Sequence, residues 1–337
     1  MIDFLKTNSP VISPEILAKI SGARFLVTGA SGLIGLNFIT ALLKARDEGL
    51  DVEITAIVSS SRPVLTKELR EQGVTVLRVN LANLNQQLQF GEFDYILHAA
   101  SYGQPGKFLQ DKLATITLNT TALQRLGALM TNSGRLLYMS TSEIYSGLEK
   151  PAFDEGDIGV TSPQHPRACY IEAKRAGETI CEAFTELGVS AVSVRLALAY
   201  GPGVWADDKR VLNQFIQKGL LGGQIDMLDA GLDSRTYGHV SDVTVMLFNI
   251  LVLGKRTLYN VGGESSVSIR ELAEMVGRQL NVPIHAPALA EKVVGAPTAV
   301  SLSLNRYKSE FGEINFTEME VGLAKTIQWY KKIYGEA

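Results

Sequence analysis

Hydrophobic residues occur along the chain in short apolar runs, separated by longer segments whose apolar residues recur every three or four positions. The short runs predict β-strands and the longer segments predict amphipathic helices. We place six strands at 24–28, 52–58, 74–79, 95–98, 136–140 and 191–198. We place helices at 14–20, 33–45, 107–131 and 170–187. The alternation of strand and helix predicts an α/β fold with a doubly wound, mostly parallel sheet of the Rossmann type.

The pattern becomes less regular after residue 203. We predict helices at 207–219, 240–253, 268–280 and 318–334, a strand at 257–261, and a loop that ends near residue 235. The simplest architecture has an N-terminal extension over 1–20 and a dinucleotide-binding domain over 21–203 plus 234–262. A smaller C-terminal substrate-binding lobe then comprises 204–233 plus 263–337. A chain of 337 residues is long enough for one large core and such a lobe.

Composition and charge are those of an ordinary globular protein, with 46% apolar residues, 20% charged residues and a net charge of −3. We find no run of like charge, so we expect neither a nucleic-acid partner nor a membrane partner. No unbroken apolar stretch reaches the length of a membrane span, and the N-terminus lacks the pattern of a signal peptide. Cys169 and Cys181 would lie about 18 Å apart on one helix, too far for a disulfide, which favours a cytoplasmic setting. No His, Cys and Asp cluster has metal-ligand spacing, so we expect no metal.

A glycine-rich segment directly follows the first strand and opens the next helix. Its residues are Thr-Gly-Ala-Ser-Gly-Leu-Ile-Gly at 28–35. Glycines permit a tight turn and close approach to a pyrophosphate, which the N–H groups of the helix N-terminus would bind. A simple glycine-rich turn is the alternative, but the strand before and the helix after favour dinucleotide binding. The candidate cofactor contacts here are Gly29, Ser31, Gly32, Leu33, Ile34 and Gly35.

The end of the second strand bears on which dinucleotide is bound. An acidic residue there usually binds the adenosine ribose of NAD, but this strand ends without one. Asp51 and Glu53 lie at its other end. Ser59 and Arg62 could instead hold the 2′-phosphate of NADP, or they could belong to a solvated loop. The cofactor is therefore NAD or NADP.

Tyr170 and Lys174 are four residues apart, which places a phenol and an ammonium on one helix face. The lysine charge would lower the pKa of the tyrosine and favour a phenolate that acts as a general base. A surface pair is the alternative. The glycine-rich loop far upstream, and a Ser-Thr-Ser-Glu cluster that ends the fifth strand, favour the catalytic interpretation.

With these motifs in place, the chain resembles the extended short-chain dehydrogenase/reductase family, which includes nucleotide-sugar epimerases, dehydratases and decarboxylases. The resemblance covers nearly the whole chain after residue 22. The motifs that carry it are TGASGLIG at 28–35, HAAS at 98–101, LNTTAL at 118–123, YMSTSEIYS at 138–146, YIEAK at 170–174, RLALAYGPG at 195–203, SRTYGHVSD at 234–242 and IQWYKK at 327–332. The segments at 140–145 and 166–175 are most similar to those of UDP-glucuronate decarboxylases.

The resemblance implies a role for each matching residue. Thr141 would hydrogen-bond the reacting sugar, Tyr170 would be the base with Lys174 as its partner, and Glu143 would act near C5 and its carboxylate. Further cofactor contacts would come from Asn80, Leu81, Ala99, Ala100, Ser101, Asn119 and Ser140. Substrate contacts would come from Tyr102, Ser142, Arg210, Gln214 and Arg235, of which Arg235 could clamp a diphosphate. We expect His98 to be a packed histidine.

Several reactions remain open within this family. In 4,6-dehydratases an Asp-Glu pair usually follows the threonine, and Ser142 stands in the Asp position here. Simple 4-epimerases usually lack the glutamate, while Ser59 and Arg62 would suit an NADPH-using 4-keto reductase. Leu198 stands where the family commonly has an Asn, and Asn80 stands where it usually has an Asp that meets adenine, so the sugar nucleotide and the form of the cofactor both stay open. A non-catalytic dinucleotide-sensing protein is a remote alternative. The resemblance also implies a homodimer.

Overall fold

The structure, a computed structural model, describes residues 1–59, 62–88, 90–287 and 301–335. Its centre is a seven-stranded sheet in the order β3-β2-β1-β4-β5-β6-β10, with every neighbouring pair parallel. These strands are β1 (Ala23–Thr28), β2 (Val52–Val58), β3 (Thr75–Arg78), β4 (Phe93–His98), β5 (Met130–Thr141), β6 (Ser190–Leu196) and β10 (Leu258–Val261). The order reverses direction between β1 and β4, the place where doubly wound sheets bind ligands. The predicted fold class is confirmed.

Helices cover both faces of the sheet and build the rest of the molecule. They are α1 (Ile2–Asn8), α2 (Pro14–Ile20), α3 (Leu33–Asp47), α4 (Pro63–Glu71), α5 (Pro105–Gln110), α6 (Lys112–Asn119), α7 (Thr121–Gly127), α8 (Ala168–Glu186), α9 (Val211–Gln217), α10 (Val240–Leu253), α11 (Ile269–Leu280), α12 (Asn305–Phe311) and α13 (Met319–Gly335). No helix among the described residues is long and apolar enough to span a bilayer.

The single long helix predicted over 107–131 is wrong. Three short helices, α5, α6 and α7, take its place, and its last residues begin β5. Asp111 separates the first two because its φ of −130° leaves the helical region, and its carboxylate caps α6 by accepting a hydrogen bond from the Ala114 amide at 3.0 Å. Thr120, with φ −121° and ψ −86°, separates α6 from α7. Apolar periodicity continued across both breaks, so the pattern alone did not reveal them.

A second, three-stranded sheet contains β7 (Leu198–Tyr200), β9 (Ser234–His239) and β11 (Ser265–Ser268) in the order β11-β9-β7. The predicted strand over 191–198 is therefore two strands in different sheets. The loop predicted to end near residue 235 instead gives way to β9 one residue earlier. A two-residue pair, β8 (Ile225–Asp226) and β12 (Ile284–His285), completes the strands among the described residues. The helix predicted over 207–219 begins later, at Val211, because Arg210 has an extended backbone, and α9 then passes into a π-helical turn over Lys218–Gly222.

The division into a dinucleotide-binding domain and a C-terminal lobe stays a proposal, and residues 288–300 of that lobe lie outside the described residues.

The sheet positions the site by aligning strand ends. Because β1, β4, β5 and β6 are parallel neighbours, their carboxyl ends lie at one edge. The residues that follow these ends, from the glycine-rich loop to Thr141, are therefore brought together.

Candidate active site

A cavity of about 800 Å³ opens beyond the carboxyl ends of the central strands. This volume lies within the range of about 300–1,000 Å³ that is typical of pockets for small ligands and cofactors. Most of the residues predicted from the sequence line it. These are Gly29, Ser31, Gly32, Leu33, Ile34, Gly35, Ser59, Arg62, Asn80, Leu81, Ala99, Ala100, Ser101, Tyr102, Ser140, Thr141, Ser142, Glu143, Tyr170, Lys174, Arg210 and Arg235.

Two predicted residues do not line the cavity. Asn119 is fully buried behind the wall, where its amide donates to the Ser101 hydroxyl at 3.0 Å and accepts from the Tyr138 hydroxyl at 3.0 Å. Gln214 lies on α9, and its side-chain amide donates to the Lys209 carbonyl at 2.6 Å. In this structure Asn119 can thus affect the cavity only through its neighbours.

The glycine-rich loop is packed too tightly for side chains. Gly29 has a φ of +66°, and a Cβ there would lie 2.5 Å from the Ala99 carbonyl oxygen. A Cβ on Gly35 would lie 2.6 Å from the Gly29 carbonyl oxygen. Gly32 is the N-cap of α3, so the first amides of that helix point toward the cavity. This cradle fits the pyrophosphate of a dinucleotide, which needs close backbone approach and unpaired N–H groups.

The cavity rim near β2 carries cations and no acid from that strand. Arg62 forms an ion pair with Asp207 at 2.9 Å, and its guanidinium lies 4.2 Å from the centre of the Trp205 ring. Lys107 reaches the same Asp207 carboxylate at 3.3 Å. The Trp205 indole donates to the Ser31 carbonyl at 2.7 Å. Trp205 and Asp207 were not predicted, because they come from a segment far away in the chain.

Tyr170 and Lys174 lie one turn apart on α8, and both are buried. Burial, with a smaller contribution from Glu143, raises the pKa of Tyr170 to about 12, while its hydrogen bond to Thr141 acts in the opposite direction. This is the reverse of the expected lowering. The physical reason is the burial of the phenol. Lys174 donates to the Met139 carbonyl, and its ammonium nitrogen lies 5.8 Å from the centre of the Tyr170 ring.

Lys174 is itself perturbed. Burial lowers the pKa of its ammonium to about 7, and the nearby Glu178 carboxylate opposes that shift. Glu178 lies one further turn along α8, where it accepts from Ser140 at 2.5 Å and pairs with Arg195 at 2.8 Å. This buried network joins α8 to the ends of β5 and β6. Glu178 was not predicted, although its spacing from Lys174 repeats the spacing of Lys174 from Tyr170.

Glu143 follows Thr141 in a 3₁₀ turn over Ser142–Tyr145, and its carboxylate forms an ion pair with Arg167. Burial raises the pKa of Glu143, and the Arg167 charge counters this. Arg167 also lines the cavity. It was not assigned a role from the sequence, although it stands inside the segment at 166–175 that carries the resemblance.

The predicted substrate cations are engaged with neighbouring acids. Arg210 binds Asp208 through two nitrogens, at 2.6 and 3.0 Å, and Arg235 pairs with Asp233 at 3.5 Å.

His98 is packed as expected, between the Thr28 hydroxyl and the Leu118 carbonyl at 2.8 Å each. Since a carbonyl only accepts, Nε2 of His98 donates and Nδ1 accepts, and burial lowers its pKa to about 4.

Comparisons with known proteins agree with this geometry. The model of the NAD dependent epimerase/dehydratase family matches residues 25–262. A UDP-glucuronic acid decarboxylase 1 from Xenopus tropicalis is 27% identical over 94% of this chain and 74% of its own length. A dTDP-4-dehydro-6-deoxy-D-allose reductase from a Streptomyces species is 29% identical over 92% of this chain and 97% of its own length.

Solved structures show the same fold. MoeE5 in complex with UDP-glucuronic acid and NAD superposes with a TM-score of 0.75 at 24% identity, covering 92% of this chain and 99% of that one. A UDP-N-acetylglucosamine 4-epimerase from Methanobrevibacter ruminantium M1 gives a TM-score of 0.79 at 18% identity, with coverages of 92% and 99%. The chain belongs to the NAD-dependent epimerase/dehydratase family of extended short-chain dehydrogenases/reductases, and it is an enzyme that works with a nicotinamide dinucleotide.

Proposed function

We propose that this enzyme oxidises the C4 hydroxyl of a nucleotide-linked sugar, and that its reaction is the decarboxylation of UDP-glucuronate. The observation that carries the proposal is the grouping of Thr141, Tyr170 and Lys174 with the Glu143–Arg167 ion pair at one cavity. The similarity to UDP-glucuronic acid decarboxylases over more than nine-tenths of the chain supports it. We also propose a cytoplasmic setting, which the two free cysteines suit.

The proposed first step uses three side chains. Tyr170 takes the proton of the 4-hydroxyl, and Thr141 hydrogen-bonds the same oxygen. The bound dinucleotide supplies the hydride acceptor for C4 and returns the hydride at the end. Because the pKa of Tyr170 is raised to about 12 by burial, positive charge near its hydroxyl has to favour the phenolate during turnover. Arg167 and Arg210 already act in that direction.

The second step follows from the chemistry of the oxidised sugar. A ketone at C4 makes the C5 carboxylate part of a β-keto acid, which loses carbon dioxide when the carbon–carbon bond breaks toward C5. A proton from water then takes the place of the lost carboxylate at C5, and Tyr170 gives its proton back to the C4 oxygen as the ketone is reduced to the hydroxyl. No net oxidant is consumed. We propose that Glu143 acts in these later steps, near C5.

A panel of UDP-, dTDP-, CDP- and GDP-sugars, with products identified by mass, tests the proposal. UDP-glucuronate should lose carbon dioxide and yield a UDP-pentose. Glu143→Gln should slow the later steps more than C4 oxidation, so that reduced nicotinamide accumulates and is seen by its absorbance. Glu149→Gln, an exposed glutamate in the following loop, is the matched control. An unchanged mass for UDP-glucuronate would overturn the decarboxylase assignment.

An NADPH-using 4-keto reductase is the second candidate. It is favoured by the cations Arg62 and Lys107 at a rim without a β2 acid, and by the similarity to the dTDP-4-dehydro-6-deoxy-D-allose reductases. Arg62→Ala should weaken NADP binding about ten- to a hundredfold more than NAD binding if Arg62 meets a 2′-phosphate. Arg256→Ala, an exposed arginine elsewhere, is the control. Equal losses of NAD and NADP affinity would show that Arg62 does not bind a 2′-phosphate and only pairs with Asp207.

We further propose that the protein forms a homodimer through α6 and α8. Leu113 and Ile116 on α6 are 77% and 40% exposed and lie three residues apart, so they present neighbouring apolar side chains on one helix face. Replacing both with aspartate should halve the mass measured by sedimentation equilibrium. Leu228→Asp, at an exposed leucine in a distant loop, should leave the mass unchanged. A wild-type protein that sediments as a monomer would refute this.

A further inference from the structure

Arg167 reaches the reaction centre from two sides. Its guanidinium pairs with Glu143, the acid that follows Thr141, and also lies 5.5 Å from the centre of the Phe108 ring. The same Phe108 ring stacks on the Tyr170 ring at 4.5 Å with an angle of 7° between the planes. Arg167 thus contacts the candidate acid directly and the candidate base through one aromatic ring.

The backbone of Arg167 is held in place at the start of α8. Its backbone carbonyl accepts from the Tyr170 and Ile171 amides at 3.0 and 3.1 Å, and its own amide donates to Nδ1 of His165 at 3.2 Å. Phe108 is 1% exposed. An arginine whose backbone is anchored at the start of α8, and whose guanidinium lies beside a buried ring, can hold a carboxylate through its planar set of donors.

Glu143 needs such a partner. Its side chain is only 25% exposed, and a carboxylate removed from water stays charged only when an opposite charge or hydrogen bonds compensate. The titratable groups that act on it or share its cavity wall are Arg167, just before α8, Tyr170 of α8, and His165 in the preceding loop. Of these, Arg167 supplies the ion pair.

We propose that Arg167 is a positioning residue that holds Glu143 ionised and fixed beside Tyr170, so that Glu143 serves as a hydrogen-bond acceptor and a negative charge, not as a proton donor. This inference deepens the proposed function and rests on it for the kinetic test. It assigns Arg167 no direct contact with the substrate. A double-mutant cycle distinguishes a residue that acts through Glu143 from one that acts on the substrate independently.

The kinetic test compares Arg167→Gln, Glu143→Gln and the double variant on whichever nucleotide sugar the panel identifies. Arg167→Gln should lower kcat about tenfold or more with a much smaller change in KM, as expected for the loss of a charge-assisted bond. The loss of kcat in the double variant should be clearly smaller than the product of the two single losses, because the main action of Arg167 passes through Glu143. Losses that multiply would show an independent role for Arg167 and overturn the proposal.

Arg167→Lys keeps the positive charge and should have a higher kcat than Arg167→Gln. This recovery would show that the loss in Arg167→Gln comes from the missing charge and not from a folding defect. Arg278→Gln, which breaks an exposed pair with Glu320 at 2.9 Å far from the cavity, is the matched control and should leave kcat unchanged. No recovery in a folded Arg167→Lys variant would contradict a role based on charge.

An infrared measurement tests the inference without any substrate. Arg167→Gln should gain a carboxylic-acid C=O band, at a pH where the wild type lacks it, and the double variant with Glu143→Gln should lose that band. If no sugar in the panel is converted but the band behaves in this way, the proposed function fails and the role of Arg167 stands. If the wild type already shows a Glu143 carboxylic-acid band at neutral pH, the role of Arg167 fails.

Discussion

At the scale of single residues, the site owes its properties to burial. Tyr170 and Lys174 lie where water cannot solvate their charged forms, so the pKa of the phenol rises to about 12 and that of the ammonium falls to about 7. Burial therefore favours the uncharged form of each group, the protonated phenol of Tyr170 and the unprotonated amine of Lys174. Positive charge at the cavity, from Arg167, Arg210 or a bound nicotinamide, is what favours a phenolate.

Tyr170→Phe should abolish turnover and leave dinucleotide binding nearly unchanged. The substitution removes only the hydroxyl that exchanges the proton, while the ring that stacks on Phe108 is kept. We expect kcat to fall about 10²–10⁴-fold, the usual contribution of a general base. Tyr334→Phe, at the end of α13, is the control. A variant that keeps more than about a tenth of wild-type kcat would exclude Tyr170 as the base.

Lys174→Met should change how stability depends on pH. Because the pKa of Lys174 is about 7 in the folded protein and 10.5 is its ordinary value, the unfolded chain binds more protons between these limits. The free energy of unfolding therefore gains a component that rises with pH from about 7 to 10.5 and is absent in the variant. Denaturant unfolding across this range, compared with the exposed Lys331→Met, measures it. Parallel pH profiles for the variant and the wild type would contradict the burial argument.

At the scale of elements, α8 is the part that organises the site. It carries Tyr170, Lys174 and Glu178 on one face, and it packs against β5 so closely that Gly177 has no room for a side chain. A Cβ there would lie 2.4 Å from the Tyr138 ring. Tyr138 is fully buried, and its ring centre lies 5.0 Å from the Lys174 ammonium. The distance between helix and strand therefore sets the position of the lysine.

Gly177→Ala should destabilise the protein by about 1–3 kcal/mol, as overpacking a filled core does. It should also reduce activity, since Tyr138 cannot move without disturbing Lys174. Gly106→Ala on α5 has open space around the new methyl group and should be neutral or slightly stabilising. Thermal unfolding of both variants makes the comparison. Equal melting temperatures would show that α8 can shift freely away from the sheet.

At the scale of the whole molecule, the segment 202–210 ties the C-terminal helix to the cofactor loop. Trp329 of α13 is fully buried and donates to the Val204 carbonyl at 2.5 Å, and the adjoining Trp205 binds the Ser31 carbonyl. Asn37 of α3 donates to the Pro202 carbonyl at 2.8 Å. The glycine-rich loop is thus supported by residues nearly 300 positions away in sequence.

Trp329→Ala should cost about 3–5 kcal/mol of stability, as large-to-small changes of buried aromatic residues do. It should also weaken dinucleotide binding, because Trp205 loses the ring that it packs against at 6.3 Å. Trp329→Phe should cost less. The exposed Leu187→Ala is the control. A loss of stability without any change in dinucleotide affinity would show that the packing of Trp329 does not affect the glycine-rich loop.

The sequence by itself determined the parts of the protein whose chemistry is local. The glycine-rich loop, the Tyr170–Lys174 spacing and each apolar run of the strand–helix alternation lie within short segments, where backbone geometry follows directly from residue type. The helix over 240–253 was predicted with the bounds that the structure has. The family could be identified from the same short motifs.

Tertiary structure alone decided the rest, because it depends on which distant segments meet. The ion pairs Glu143–Arg167, Glu178–Arg195 and Arg62–Asp207 join residues 24, 17 and 145 positions apart, and no periodicity relates them. The two breaks in the helix predicted over 107–131 were equally hidden. The direction of the Tyr170 pKa shift also came from burial, which depends on the neighbours on every side and not on the lysine one turn away.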